Sequence, residues 1–212
     1  MIRLLKTFSS LSLLFSIALL TTLAGCAGTL MTEVKSPEIL PPAPDKVKIV
    51  FMRNTAGFRE GGYAANLFEV IDGDLRFIGE LLPGTKIVHE TTPGSEKVFM
   101  SVHSAGSTEF LLGKLTGGKI YYSNVILTFM NFMPLPVRAK TKSSTAGAAS
   151  PDLPSWYKDA KLIAPNAEAS DWFNVKREHY QTIYKDNWAK FQRETPEEKA
   201  ERTLNPQDGF SE

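Results

Sequence analysis

The sequence predicts a mainly β protein, an antiparallel seven-stranded sandwich followed by a C-terminal helical extension. Seven short runs rich in β-branched and aromatic residues lie between residues 47 and 129, with Gly, Pro or Asp about every ten residues, a spacing typical of sandwiches and small barrels. Asp72-Gly73 and Pro93-Gly94 supply turn chemistry between runs. Aromatic residues then recur at helical spacing between residues 173 and 191.

Residues 1–25 have the organisation of a secretion signal. Arg3 and Lys6 precede an apolar run over residues 11–20, and that run is short because a membrane-spanning helix needs about 20 apolar residues. The segment Leu23-Ala-Gly-Cys26 resembles the bacterial lipoprotein box, in which the cysteine thiol receives diacylglycerol and its amine is acylated after cleavage. The alternative is a free, buried cysteine that happens to follow an apolar stretch.

Cys26 is therefore the predicted lipid attachment site and the predicted contact with the membrane. Two or more acyl chains give stable anchoring where one gives only marginal affinity. The next residue is Ala27 rather than Asp, and resemblance to enterobacterial sorting favours the outer membrane, facing the periplasm.

Composition excludes several classes of function. The formal net charge of +1 becomes −1 once Arg3 and Lys6 leave with the signal, so nothing indicates a nucleic-acid partner. Cys26 is the single cysteine, and its acylation would exclude disulfides, cysteine-bound zinc and a cysteine nucleophile. No Walker loop or G-x-G-x-x-G fingerprint occurs, and we predict no cofactor.

Residues 26–46 are predicted to be a Pro-rich tether that lifts the domain off the lipid. Pro37, Pro41, Pro42 and Pro44 stiffen such a segment. The alternative, an ordered first strand, is disfavoured because proline removes a donor from a sheet.

Residues 47–138 are predicted to form the sandwich domain, a meander of antiparallel strands. The seven predicted strands are Val47–Arg53, Ala65–Ile71, Leu75–Leu81, Thr85–Glu90, Glu96–His103, Glu109–Leu115 and Lys119–Phe129.

A flexible loop, 139–155, precedes the helical extension, 156–212. The first helix is predicted over Ser170–Glu194, with Ser170 or Asp171 as N-cap. Thr195-Pro196 predicts a second, short helix, and the tail beyond Asn205 is expected to be frayed. One face of the first helix carries Phe173, Tyr180, Ile183, Tyr184, Trp188 and Phe191. Burial against the sheet is the expected use of this face, and docking to another envelope protein is the alternative.

The three histidines predict neither a metal site nor a catalytic site. If Pro93-Gly94 centred a hairpin, His89 would lie opposite Val98, and His103 would be roughly 17 Å away at about 3.3 Å per residue. No ligand spacing compensates for that distance. His179 stands among charged residues of the helix. No G-x-S-x-G occurs, and we predict no catalytic residue.

The string Gly57-Phe-Arg-Glu-Gly-Gly-Tyr63 holds the candidate interaction residues Phe58, Arg59 and Tyr63. Aromatic and arginine side chains are favoured as interface anchors. The alternative is an ordinary hairpin or crossover loop.

Four segments between residues 47 and 125 resemble the bacterial lipoprotein family known as domain-of-unknown-function family 2846. They are Phe51-Met-Arg53, Val70–Leu81, Thr92-Pro-Gly94 and Gly118-Lys-Ile-Tyr-Tyr122. The resemblance implies a PEGA- or transthyretin-like sandwich and carries over no catalytic residue.

The sequence thus predicts a non-enzymatic, lipid-anchored envelope protein that acts as an interaction or scaffolding module, with an envelope protein as its expected partner. One alternative is a carrier of a small apolar ligand or lipid, which needs a dry internal cavity. The other is an envelope hydrolase, which needs a pocket where His89 or His103 meets a carboxylate.

Overall fold

A computed structural model describes residues 29–35, 38–55, 63–103, 107–128, 131–138 and 153–211. Within them the chain is mainly β, with two sheets and a C-terminal helix. The first sheet has the order β1 (Met31–Glu33), β10 (Lys161–Pro165), β5 (Thr85–Thr91), β2 (Val47–Met52), β8 (Lys119–Thr128), β9 (Asn131–Pro136). The second has the order β11 (Thr203–Leu204), β7 (Thr108–Leu115), β6 (Gly94–His103), β3 (Ala65–Ile71), β4 (Asp74–Leu81).

All seven predicted strands are present, but the predicted count is wrong and the antiparallel pairing is confirmed only in part, for example between β3 and β4 and between β6 and β7. The described residues contain eleven strands. The four strands beyond the prediction are β1, β9, β10 and β11, and β1 corresponds to the disfavoured alternative of an ordered strand within residues 26–46. The sheets are mixed rather than antiparallel: β2 pairs in parallel with β8, β5 with β10, and β7 with β11.

The two predicted turns behave differently. Asp72 (φ 53°) and Gly73 (φ 87°) join β3 to β4 as a tight hairpin, as predicted. Pro93-Gly94 does not close a hairpin, because β5 belongs to the first sheet and β6 to the second. The chain crosses between layers there, so the expected pairing of His89 with Val98 is wrong.

The layers share an apolar core, which gives the fold a sandwich-like character. Side chains from both sheets meet there, and the rings of Phe51 and Phe99 lie edge to face at 5.6 Å. Tyr121 and Phe132 are fully buried in the same cluster. Burial of aromatic side chains supplies much of the hydrophobic stabilisation.

Parts of the predicted tether pack against the domain. Leu30 and Met31 are buried, and β1 pairs antiparallel with β10. Farther along, Gly118 donates its backbone N–H to the Lys46 carbonyl at 2.8 Å. The prolines stand outside β1, so they do not prevent its pairing.

Helix α1 (Ala169–Phe191) confirms the predicted helix and its aromatic face. That face lies on the outer surface of the second sheet, where Phe68 is 4.8 Å from Tyr180 and Phe110 is 5.1 Å from Phe191, measured between ring centroids. The predicted caps are wrong: the helix begins earlier, and Asn166 Oδ1 accepts from the Glu168 N–H at 3.0 Å.

Helix α2 (Pro196–Glu201) begins at the predicted cap. Thr195 and Glu198 form a reciprocal capping box, which satisfies two otherwise unpaired N–H groups. The tail is ordered rather than frayed, since the backbone of Phe210 bonds to that of Ile120. The extension is not wholly helical either, because it contains β10 and β11. No helix of the described segments has the length and apolarity needed to cross a bilayer.

Candidate functional site

The structure describes one of the candidate interaction residues. Cys26, Phe58 and Arg59 lie outside the described residues. Tyr63 lies inside them, and it is 54% exposed, so more than half of its surface is open to contact.

The backbone of Tyr63 is held by a buried arginine. Arg53 follows β2 and is 1% exposed. Its Nη1 donates to the carbonyl of Tyr63 and to the carbonyl of Leu81 at 3.4 Å. Its guanidinium lies 4.3 Å from the ring centroid of Phe132, a distance suited to a cation–π interaction.

His103 completes the support. Its ring centroid lies 5.2 Å from that of Tyr63 and 5.1 Å from that of Phe132. Tyr63 thus exposes one part of its ring to solvent while another rests on His103. We call Arg53, Tyr63, His103 and Phe132 the Tyr63 platform. Chain positions distant in sequence meet there, so sequence spacing does not reveal it.

A second polar group lies between the sheets. Glu69, on β3 of the second sheet, is 0% exposed. His89 Nε2 lies 2.9 Å from Glu69 Oε2, and Thr91 Oγ1 donates to Glu69 Oε1 at 2.6 Å; both partners come from β5 of the first sheet. Arg76 and Lys97 stand at 3.8 and 4.0 Å from the carboxylate. The group joins the two layers by hydrogen bonds.

Opposing effects set the pKa of Glu69. Burial alone would raise the pKa, but the hydrogen bonds from His89 and Thr91 and electrostatic attraction, including that of the Lys97 ammonium, outweigh burial and lower the pKa below its ordinary value. Glu69 is therefore ionised at neutral pH. The position of Glu69 inside the apolar run Leu67–Val70 was the one sequence signal for a buried polar group, because carboxylates are almost never fully buried without a partner.

The geometry of this group differs from that of a hydrolytic triad. In a triad the nucleophile donates to the imidazole, and the acid orients that imidazole from its other side. Here Thr91 and His89 both bond to the same carboxylate, and His89 is only 7% exposed. The arrangement suits structural cross-linking of the layers. Among the described residues, no three His, Cys, Asp or Glu side chains are grouped so as to hold a metal ion.

Comparison with known proteins adds little. No protein-family model matches the chain, and no curated protein matches it. A solved structure found to be similar is the NMR structure of a protein from Eubacterium rectale, at 12% identity, covering 46% of this chain and 94% of that chain with a TM-score of 0.33. That likeness carries no argument about function, and the resemblance to family 2846 stays a prediction.

Proposed function

We propose that the chain is a lipid-anchored cell-envelope protein that acts without catalysis as an interaction module. The observation that carries the interaction role is Tyr63, exposed over half its surface yet supported by Arg53 and His103. A pre-positioned aromatic side chain loses little conformational freedom on binding, and such residues are common interface anchors. The Leu23–Cys26 segment supports the anchor.

The partner is proposed to be another envelope protein that contacts the Tyr63 platform, together with Phe58 and Arg59 of the adjoining segment. Attachment to the outer membrane, facing the periplasm, is proposed from Cys26 and from Ala27 at the next position.

Site-specific photocrosslinking in cells tests the interaction role. A photoreactive amino acid at position 63 is expected to yield one discrete, reproducible adduct, identified by mass spectrometry. The matched control replaces Val175, which is 81% exposed on helix α1. Equal, heterogeneous labelling from both positions would contradict the interaction role.

Metabolic labelling with palmitate tests the anchor independently. The wild-type chain is expected to carry label and to sediment with membranes, whereas Cys26→Ser is expected to stay an unlabelled precursor, since serine has no thiol to acylate. Normal maturation and membrane retention of Cys26→Ser would overturn the anchor.

The apolar-carrier alternative gains no support from the described interior. Phe51, Phe99, Tyr121 and Phe132 fill the space between the layers, where a carrier needs an open apolar cavity. The hydrolase alternative has the Glu69–His89 pair in its favour, but that pair is enclosed between the sheets.

A further inference from the structure

A cavity of about 430 Å³ lies between strand β4 and the start of helix α1. Leu75, Phe77 and Phe173 supply apolar wall. Arg76 and Arg177 are the ionisable side chains among the described residues that line it. The charge of the cavity is therefore positive, and an anion is the ligand it suits.

The two guanidinium groups are partly pre-positioned. Arg177 lies over the ring of Phe173 at 4.6 Å from the centroid and donates to the Leu75 carbonyl at 3.4 Å. Arg76 has a Glu69 contact at 3.8 Å on one side, and 59% of its side chain is exposed. A guanidinium presents five N–H donors in a plane, a geometry that matches the oxygens of phosphate.

The first described residues of the chain, Thr29 and Leu30, lie beside this cavity. Asn166 lines the cavity, and it donates from Nδ2 to the Thr29 carbonyl at 2.8 Å and from its backbone to the Leu30 carbonyl at 2.9 Å. Three peptide units separate Cys26 from Thr29, and they reach about 11 Å at most. The cavity is therefore close to the predicted point of lipid attachment.

The reach from Thr29 to Cys26 is comparable with the thickness of the headgroup layer of a membrane. The polar headgroup layer of one leaflet is roughly 5–8 Å thick, so a domain joined to acyl chains through Cys26 would have little separation from the headgroups. Because β1 pairs with β10, the chain from Met31 onward is held on the domain and cannot extend the distance between Cys26 and the domain as a free tether would.

We propose that this cavity binds the phosphodiester headgroup of an anionic phospholipid in the leaflet that holds Cys26. The proposal rests on the lipid anchor proposed above. Arg76 and Arg177 bind the phosphate oxygens, and Asn166 and Ser170 border the same space. Binding would fix the orientation of the domain on the membrane, which an acyl anchor alone does not do.

The two proposed contacts are separated along the β3–β4 hairpin, since Arg76 lies on β4 and Tyr63 lies just before β3. Arg76 pairs with Glu69 of β3, and Tyr63 precedes Glu69 by six residues, which corresponds to roughly 20 Å at 3.3 Å per residue. A headgroup at the cavity therefore leaves the Tyr63 platform accessible to a protein partner.

Photocrosslinking from lipid tests the proposal on the purified, acylated protein. The protein is reconstituted in phosphatidylcholine vesicles containing phosphatidylglycerol with a photoreactive headgroup, and adducts are mapped by mass spectrometry. We expect adducts on the peptides that contain Phe77 and Ser170. In Arg76→Gln/Arg177→Gln the yield is expected to fall by about 25-fold, because the loss of each basic residue near an anionic surface weakens attraction by about fivefold.

Matched variants separate charge from folding. Arg76→Lys/Arg177→Lys keeps both charges and is expected to retain most of the yield. Arg193→Gln removes an exposed arginine near the opposite end of the same helix and is expected to change nothing. If the double glutamine variant unfolds by circular dichroism, the adduct map of the wild-type protein decides the question.

Three results would overturn the headgroup site. The first is wild-type adducts confined to other surfaces, and the second is an unchanged yield in a folded Arg76→Gln/Arg177→Gln variant. The third is binding of soluble glycerol phosphate, observed by ³¹P NMR, without headgroup adducts, which would indicate a soluble phosphate ligand. If the protein carries palmitate but gives no headgroup adducts at the cavity, the headgroup site is contradicted and the lipid anchor is not. If the protein carries no palmitate, the proposed lipid anchor is contradicted.

Discussion

Met31 lies directly against Gly79, where a methyl group would stand only 2.7 Å from Met31 Cε. The same methyl would be 3.0 Å from Ile87 Cδ1. Gly79 has a φ of 152° and adjoins the irregular pairing between β3 and β4, where an extra residue bends a strand. Glycine at this position thus gives the N-terminal strand β1 room to pack against β4.

Gly79→Ala is expected to lower the free energy of unfolding by about 1–3 kcal/mol, because it combines backbone strain with overpacking. Urea unfolding measures the change. Gly94→Ala is the control, since its added methyl meets only the flexible Lys97 Cε at 3.3 Å. A Gly79→Ala variant within about 0.5 kcal/mol of the wild type would show that Met31 and the backbone adjust freely.

Glu69→Gln is expected to lower the free energy of unfolding at neutral pH by about 1–3 kcal/mol, because His89 and Thr91 would lose a charged acceptor in a buried site. Glu90→Gln, at an exposed position on β5, is the matched control. Urea unfolding at neutral pH measures both variants. If Glu69→Gln and Glu90→Gln both had the free energy of unfolding of the wild type, the cross-linking role would be contradicted.

The pH dependence of stability is a separate expectation for Glu69. Its folded pKa is lowered, so its stabilisation is complete above the unfolded pKa of about 4.3 and is lost as the pH falls through the lower folded pKa. Urea midpoints of the wild type are expected to drop on acidification in that window, and those of Glu69→Gln are expected to drop less. Parallel pH profiles for the two proteins would refute the assignment.

Phe173→Ala is expected to lower the free energy of unfolding by about 3–5 kcal/mol, the range for removing a buried aromatic side chain. Its ring contacts Phe68 and Phe77 at centroid distances of 5.7 and 5.8 Å. Val175→Ala, on the exposed side of helix α1, is expected to change the same quantity by at most about 0.5 kcal/mol. Chemical unfolding followed by tryptophan fluorescence compares the two, and equal effects would disprove docking of this helix face.

Arg53→Lys is expected to loosen the Tyr63 platform, because lysine lacks the planar group that reaches both the Tyr63 and the Leu81 carbonyls. Fluorotyrosine labelling with ¹⁹F NMR measures the surroundings of Tyr63, with Tyr63→Phe used to assign its signal. A shifted or broadened Tyr63 signal is expected, together with a weaker crosslink from position 63. Arg193→Lys, just beyond the end of helix α1, should leave the signal unchanged. An unchanged signal in Arg53→Lys would remove Arg53 from the platform.

Local patterns explain which parts of the fold could be predicted. Runs rich in β-branched and aromatic residues, separated by Gly, Pro or Asp, located seven strands to within about two residues. The aromatic spacing located helix α1, and Thr195-Pro196 located the start of α2. Each of these signals depends on residues close together in the chain.

Signals for three of the four remaining strands were weak for identifiable reasons. Strand β9 carries Pro134 and Pro136, and β1 and β11 are only three and two residues long. Prolines and short length both suppress a strand pattern in the sequence. Glu69 could have been singled out by its apolar neighbours, but its partners on β5 could not.

The sequence by itself determined the elements: seven strands, two helices, the aromatic face of the first helix and the hairpin at Asp72-Gly73. Only the tertiary structure decided that Pro93-Gly94 crosses between sheets, that β2 lies parallel to β8, that Glu69 meets His89, and that Met31 packs on Gly79. The physical reason is that side-chain periodicity reports which face of an element is buried, whereas backbone hydrogen bonding between strands is nearly independent of sequence. Partners are therefore selected by how all the buried faces fit together at once.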